Sequence, residues 1–365
     1  MKKALLFANL LIVYRGVTQC PYPVTLKSTS GDCLGAILSV STSHALSKIV
    51  WYQDGSPILT SVATVQNGNI IKAAGGNESG NAANQLGYPL GGIYVDDGGN
   101  IYIADQENHR VQKWAPGASS GITIVGVNGQ GSDVNPSFTP TAVFLDNSGN
   151  IYVADSGNNV VRKWAPGATS GITVAGGNGP GSNADQLNVP EGIFVDCNGN
   201  IYVSDRNNCR VQKWAPGAIA GETVAGGNGQ GLNANQLSYP TAVWVDSSGN
   251  VYVSDAINNR VQKWAPGATT GTTVAGSLFM GSQANELWQP EGIFVDNYGN
   301  VYVADYINNR VQKWAQGATA GITVAGGNGI GPAPDQANAP FGLFIDNKGD
   351  LYATNGWNGN SVITE

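Results

Sequence analysis

Aspartates recur along this chain at a constant spacing of 50 residues, and they are its most conspicuous candidates for chemistry. The first series opens turns of the form Asp-x-x-Gly-Asn or Asp-x-x-Gly-Asp: Asp96, Asp146, Asp196, Asp246, Asp296 and Asp346. A ring of carboxylates could hold a metal ion, because hard cations prefer oxygen ligands. An Asp that opens a turn also accepts hydrogen bonds from backbone amides two residues on. Since Gly follows in every copy, we predict a structural role.

A second aspartate series is followed five residues later by arginine in most copies. Its members are Asp105, Asp155, Asp205, Asp255 and Asp305, and the arginines are Arg110, Arg210, Arg260 and Arg310. We predict an ion pair across a tight hairpin. In the last copy both positions change together, to Asn355 and Asn360. In the second copy Val160 replaces the arginine while its aspartate remains, so the carboxylate must also bond the turn backbone.

Tryptophan recurs at the same step: Trp114, Trp164, Trp214, Trp264 and Trp314. Identical aromatic residues in each copy most simply fill the space between neighbouring copies, so we predict core packing. Stacking on a carbohydrate would instead require that these rings be exposed.

Few residues suit catalysis. The chain has two histidines, of which His44 lies outside the repeats and His109 occupies a position that is usually Asn. Zinc needs several His or Cys ligands, and a nucleophilic Ser or Cys needs a basic partner. We therefore predict no catalytic residue and no cofactor. A calcium ion held by Glu191, Glu291 and loop Asn side chains is the chemically feasible alternative.

Each 50-residue copy predicts four short β-strands. In the third copy these are residues 192–196, 201–205, 210–218 and 222–227, separated by turns rich in Gly and Asn. Four strands without helical periodicity describe one blade of a β-propeller.

The copies also predict the number of blades. Complete copies begin near residues 91, 141, 191, 241 and 291, and a sixth begins near 340 but stops after three strands. Its missing strand is found at 71–77, which matches 322–328. We predict an all-β fold: a six-bladed β-propeller of four-stranded antiparallel blades, whose ring is closed by an N-terminal strand completing the C-terminal blade.

The motif P-x-G-I-F-V-D-x-x-G-N-I-Y-V-A-D-x-x-N-N-R-V-Q-K-W resembles the NHL repeat. The resemblance implies a six-bladed propeller that binds proteins, nucleic acids or small ligands, and in a few members an enzyme. Related propellers include metal-dependent lyases and calcium-dependent lactonases. A fold of this kind does not decide among these functions.

The regions outside the repeats suggest export. Residues 1–19, with Lys2, Lys3 and an apolar run over 4–14, predict a signal peptide. Residues 20–68 are a non-repeating β-rich segment, either an immunoglobulin-like fragment or a cover for the propeller of residues 69–365. Cys20 and Cys33 could form a disulfide in an exported protein, whereas Cys197 and Cys209, at opposite ends of one strand, should be free.

The charge and the hydrophobic pattern of the chain limit the classes of partner that it can bind. The net charge of −7 argues against sequence-independent nucleic-acid binding, and no segment is long enough to span a membrane. We expect a secreted or cell-envelope protein that is monomeric.

Function should lie where the repeat varies. Four of the six loops between blades contain Gly-Gly-Asn, but residues 276–281 read Gly-Ser-Leu-Phe-Met-Gly. We predict a ligand-binding face that comprises Leu278, Phe279, Met280, Trp288, Tyr306, Ile307, Phe341, Trp357, Glu191 and Glu291. This face would bind a protein or glycan partner, unless residues 20–68 cover it. The alternative function is a calcium-dependent lactonase-like, esterase-like or lyase-like enzyme.

Overall fold

A computed structural model describes residues 73–355 except 76–78, 88, 90, 91, 127–137 and 331–335. Outside this range it describes the backbone of strands only. These are β1 (Ile12–Tyr14), β2 (Thr25–Thr29), β3 (Ile37–Ser41), β4 (Ile49–Gln53), β5 (Ser56–Thr60), the start of β6 (Ile71–Gly75) and β29 (Asn360–Thr364).

The first five strands form two small antiparallel sheets. One has the order β1-β4-β5, and the other pairs β2 with β3. Cys20 and Cys33 lie outside the described residues, so their disulfide stays a prediction, as do the boundaries at 19 and 68.

The repeats fold into a β-propeller of four-stranded antiparallel blades, as predicted. Five blades are each built from four consecutive strands. Blade 1 comprises β7–β10 (Ile93–Val95, Ile101–Asp105, Arg110–Trp114, Ile122–Val125), and blade 2 comprises β11–β14 (Pro140–Leu145, Ile151–Asp155, Val160–Trp164, Ile172–Gly176). Blade 3 comprises β15–β18 (Pro190–Val195, Ile201–Asp205, Arg210–Trp214, Glu222–Gly226), and blade 4 comprises β19–β22 (Pro240–Val245, Val251–Asp255, Arg260–Trp264, Thr272–Gly276). Blade 5 comprises β23–β26 (Pro290–Val295, Val301–Asp305, Arg310–Trp314, Ile322–Gly326). Short 3-10 helices lie at Arg206–Asn208 and Ala256–Asn258.

The count of consecutive-strand blades is therefore five, where the sequence predicts six. A further four-stranded sheet has the order β27-β28-β29-β6, in which β27 is Pro340–Ile345 and β28 is Leu351–Asn355. Its outer pair brings both ends of the repeat region together, with Ser361 opposite Ala74. Among the described residues, no helix is long and apolar enough to cross a membrane.

The tryptophan series lies in the core, as predicted. Trp114, Trp214, Trp264 and Trp314 are at most 2% exposed, and Trp164 is 6% exposed. Trp214 packs in one apolar cluster with residues of the blades on either side. Burial of large aromatic surfaces between blades stabilises the stack of repeats.

The first aspartate series closes turns, as predicted. The Oδ1 atom of Asp196 accepts hydrogen bonds from the backbone amides of Asn198 and Asn200, both at 2.9 Å. Its Oδ2 atom accepts from the Asn200 side chain at 2.7 Å and from the hydroxyl of Tyr202 at 3.4 Å. These bonds fix the turn between the first two strands of the blade.

The second aspartate series forms the predicted ion pairs and also holds a loop. Arg210 Nε donates to Asp205 Oδ2 at 2.7 Å, and the other carboxylate oxygen accepts from the Asn188 amide at 2.7 Å. The guanidinium also donates to the carbonyls of Ser182, Asn183 and Gln186. Each pair therefore clamps the loop that leads into its blade onto the hairpin.

Blade 2 confirms that an aspartate of this series also bonds the backbone, because Asp155 Oδ1 accepts from the amides of Thr139 and Asn158. Its aspartate is not left without an arginine, because Arg162 Nε lies 3.9 Å from Asp155 Oδ2. Residues two apart on a strand share a face, so an arginine at position 162 approaches the same carboxylate that an arginine at position 160 would reach.

Cys197 and Cys209 are free thiols, as predicted.

Candidate functional site

The central channel is lined by the first strand of each blade, and one aromatic residue of each strand crosses it. These side chains recur at the 50-residue step: Tyr94, Phe144, Phe194, Trp244, Phe294 and Phe344. Successive ring centroids in this set lie 4.4 to 5.7 Å apart, and those of Tyr94 and Phe344 lie 4.9 Å apart. We call this set the aromatic ring. Sequence reasoning missed it, although the spacing alone could have found it.

The aromatic ring separates two cavities. The upper cavity, of about 80 Å³, lies towards the loops between blades and is lined by Thr141, Glu191, Thr241, Glu291 and Phe341 as well as ring members. The lower cavity, of about 470 Å³, lies at the Asp-x-x-Gly turns. Tyr94, Trp244 and Phe344 line both. The turn aspartates around the lower cavity already accept hydrogen bonds within their turns, so we assign them a structural role.

Small residues above the aromatic ring create the upper cavity. The first strands approach so closely that a Cβ atom at Gly192 would lie 2.6 Å from the carbonyl oxygen of Thr241. At Gly292 a Cβ would meet the Phe341 carbonyl oxygen at 2.4 Å. Both positions follow a glutamate directly, so each glutamate stands beside a section of wall without side chains.

The side chains of Glu191 and Glu291 line this upper cavity and lie below the rim of the channel. Arg206 Nε approaches Glu191 Oε2 at 2.9 Å, and the Arg206 guanidinium lies 5.2 Å from the ring centroid of Tyr239. The Arg206–Glu191 contact joins charges without an aligned hydrogen bond. Glu291 is 3% exposed, and its Oε1 accepts from Gln289 Nε2 at 3.2 Å. Its Oε2 atom is buried and has no hydrogen-bond partner.

Burial changes the ionisation of both glutamates. It raises the pKa of Glu191 to about 7, against the opposing effect of Arg206. Burial, followed by the charge of Glu191, raises the pKa of Glu291 well above its ordinary value, while Arg206, Gln289 and Thr241 oppose the shift. Both shifts increase the fraction of each glutamate that is protonated near neutral pH.

The pair does not fit a calcium site. Calcium takes six to eight oxygen ligands. Beside the two glutamates the walls carry the hydroxyls of Thr141 and Thr241 among Gly, Ala, aliphatic and aromatic side chains, and a cation already stands against Glu191. Across the part of the chain that the structure describes, no three His, Cys, Asp or Glu residues gather into a metal-holding group.

Five of the remaining predicted residues form an exposed apolar patch on the same face. Phe279 is 78% and Met280 63% exposed, and Leu278, Trp288 and Ile307 are exposed as well. Four of these five residues lie in the loop between β22 and β23, whereas Ile307 follows β24. Met280 pairs with Leu287 in an isolated bridge, and the amide of Ile307 donates to the Trp288 carbonyl at 3.3 Å. We call these five residues the apolar patch.

Tyr306 and Phe341 connect the apolar patch to the upper cavity. Both are half-buried, and their rings meet edge to face with centroids 6.1 Å apart. Phe341 lines the cavity, while Tyr306 directly precedes Ile307 of the patch. Trp357 lies outside the described residues. The predicted face thus consists of an exposed part and a buried part.

Comparison with known proteins supports the fold. The NHL repeat family matches residues 90–114, 187–214 and 287–314. No curated protein matches the chain.

Several solved structures are similar in fold. A protein of unknown function from Bacteroides thetaiotaomicron has a TM-score of 0.66 at 17% identity, covering 92% of this chain and 86% of that chain. An auxiliary nutrient binding protein from Bacteroides ovatus has a TM-score of 0.60 at 13% identity, covering 94% and 89%. A gluconolactonase from Xanthomonas campestris has a TM-score of 0.58 at 11% identity, covering 82% and 90%. Identities this low show the fold alone. The chain therefore contains NHL repeats and folds as a β-propeller.

Proposed function

We propose that this protein is a binding propeller that recognises a protein or glycan partner through the apolar patch. The observation that carries the proposal is the exposure of Phe279, Met280 and Trp288 together on one loop. Contiguous apolar surface of this kind marks interaction sites, and aromatic side chains supply most of the affinity at such sites.

The scaffold does not require these apolar residues. In the preceding loop Asn228 donates to the Asn235 carbonyl at 3.0 Å, and its own carbonyl accepts from Gln236 at 3.0 Å. Leu278 occupies the corresponding position and cannot make the side-chain bond. Yet the loop keeps its form, since the bridge between Met280 and Leu287 repeats the one between Gln230 and Leu237. Leucine in place of asparagine at this position loses a hydrogen bond and buries no further apolar surface. A role in binding therefore explains the leucine better than a role in the fold.

The test is partner capture by the full-length chain with Phe279→Ala and Trp288→Ala combined. Each aromatic hot spot contributes about 2 kcal/mol or more, so we expect capture to fall at least 30-fold with an unchanged circular dichroism spectrum. Ile219→Ala with Ile322→Ala is the matched control, because both isoleucines are exposed away from this face. Equal capture by the patch variant and the control would refute the proposal.

A second candidate is a lactonase-like or lyase-like enzyme, favoured by the two buried glutamates of raised pKa in the upper cavity. The likeness to a gluconolactonase supplies fold and no more. Hydrolysis of a panel of sugar lactones by the purified protein, with and without added calcium, separates the candidates. Turnover that is abolished by Glu291→Gln would replace the binding proposal.

We also propose that the sheet β27-β28-β29-β6 is a sixth blade that closes the ring. Support comes from the contact of Tyr94 with Phe344 and from the bond donated by Asn347 Nδ2 to Asp97 Oδ1 at 3.4 Å. Both join this sheet to blade 1. Export through residues 1–19 and a monomeric state complete the proposal.

A further inference from the structure

We propose that the upper cavity is a binding site for a primary alkylammonium group, held between the carboxyl groups of Glu191 and Glu291 above the aromatic ring. This site is separate from the apolar patch and does not depend on the function proposed for it.

The first argument is the unsatisfied oxygen of Glu291. Its Oε2 atom is buried, accepts no hydrogen bond and belongs to a side chain that lines the cavity. Buried polar atoms are nearly always hydrogen-bonded, so an orphan of this kind indicates a missing donor. Gln289 donates to Oε1. The Thr241 hydroxyl is close enough to lower the pKa of Glu291, but it donates at 3.3 Å to the carbonyls of Pro290 and Glu291 and leaves Oε2 without a partner.

The second argument is the chemistry of the walls. An alkylammonium ion carries three N–H donors and a single charge, and aromatic rings attract it. Two carboxyl groups exclude an anion. A metal ion would find too few oxygens, because beyond the two glutamates and the hydroxyls of Thr141 and Thr241 the walls are mostly glycine, aliphatic and aromatic. A neutral hydroxyl could satisfy one oxygen, but unlike a cation it would not favour the ionised form of Glu291.

The third argument is size. A cavity of about 80 Å³ admits the ammonium head and little of the chain that carries it. The alkyl chain must therefore leave through the mouth, past Phe341 and its contact with Tyr306. An unbranched amine fits this path. A free monoamine and a lysine side chain share this chemistry.

Binding should release a proton. The groups that face Glu291 are Glu191, Arg206, Gln289 and Thr241, and the charge of Glu191 helps to keep Glu291 protonated. An arriving ammonium ion favours the ionised carboxylate, so Glu291 loses its proton as the ligand enters. Affinity for the amine therefore rises with pH.

The experiment is calorimetric titration of the full-length protein with n-butylammonium chloride at pH 6 and pH 8. We expect tighter binding at pH 8, proton release measured from buffers of different ionisation enthalpy, and at least tenfold weaker binding by Glu291→Gln and by Glu191→Gln. Glu222→Gln is the matched control, since Glu222 is exposed on an outer strand. The thermal unfolding temperature of each variant establishes that it folds.

Three further ligands sharpen the result. N-acetyl-lysine amide binding more tightly than n-butylammonium would assign the site to a partner's lysine, and the reverse order would assign it to a free amine; both support the proposal. Equal binding of n-butanol, or tighter binding of calcium chloride, would overturn it. The variant with Phe279→Ala and Trp288→Ala should bind n-butylammonium normally, so failure of one site is distinguishable from failure of the other.

Discussion

Replacing Arg210 by valine should destabilise blade 3, and blade 2 shows how the loss can be repaired. Asp205 is fully buried and the Arg210 side chain is 9% exposed, with 2.7 Å between Nε and Oδ2. Removing one partner of a buried ion pair costs about 3–5 kcal/mol. Asp205 keeps its bonds from the Asn188 amide and the Asn208 side chain. We therefore expect the lower value, about 3 kcal/mol.

Burial limits this cost. It raises the pKa of Asp205, while the bonds from Asn208, Asn188 and Arg210 oppose the shift. Without the arginine the carboxyl can take up a proton instead of remaining an uncompensated charge. The guanidinium bonds to the carbonyls of Ser182, Asn183 and Gln186 are lost outright, so the loop into blade 3 should open locally.

Adding Gln212→Arg to Arg210→Val reproduces the arrangement of Val160 and Arg162 in blade 2. The longer contact there, 3.9 Å, restores attraction to the carboxylate but not the loop bonds, so we expect recovery of about 1 kcal/mol. Urea unfolding followed by tryptophan fluorescence measures the stability, and amide exchange at 182–186 reports the loop. A cost below about 1 kcal/mol for Arg210→Val, or no recovery in the double variant, would refute this account of the clamp.

Two further predictions concern the channel and the ring. Because burial raises the pKa of Glu191 from 4.5 to about 7, its contribution to stability should fall as pH rises from about 4.5 through 7, by at most about 3 kcal/mol. Glu191→Gln with Glu291→Gln should therefore gain stability relative to the wild type between pH 5 and pH 8 in thermal unfolding, and a pH-independent difference would contradict the assigned shift. Ala74→Cys with Ser361→Cys should form a disulfide, because directly paired strand residues lie within disulfide reach. Peptide mapping of the oxidised protein would contradict ring closure if it found only free thiols at both positions.

Comparison of the copies predicted the scaffold well, because the scaffold repeats. The turn aspartates, the ion pairs and the buried tryptophans each occupy a constant position with a constant environment. The movement of the arginine to Arg162 escaped this comparison, since it requires knowing that positions two apart on a strand share one carboxylate.

The channel was harder to predict. The first strand of blade 2, Pro140–Leu145, is buried along its whole length, so alternation of polar and apolar residues cannot reveal which side faces the axis. The aromatic ring was missed for this reason. The depth of Glu291 was missed as well, because its burial depends on neighbouring strands and loops that are distant in sequence.

The aromatic ring lies across the propeller axis, between the upper cavity and the lower cavity. Trp244 forms part of the wall of both cavities. A ligand that displaced this side chain from one cavity would therefore change the shape of the other cavity.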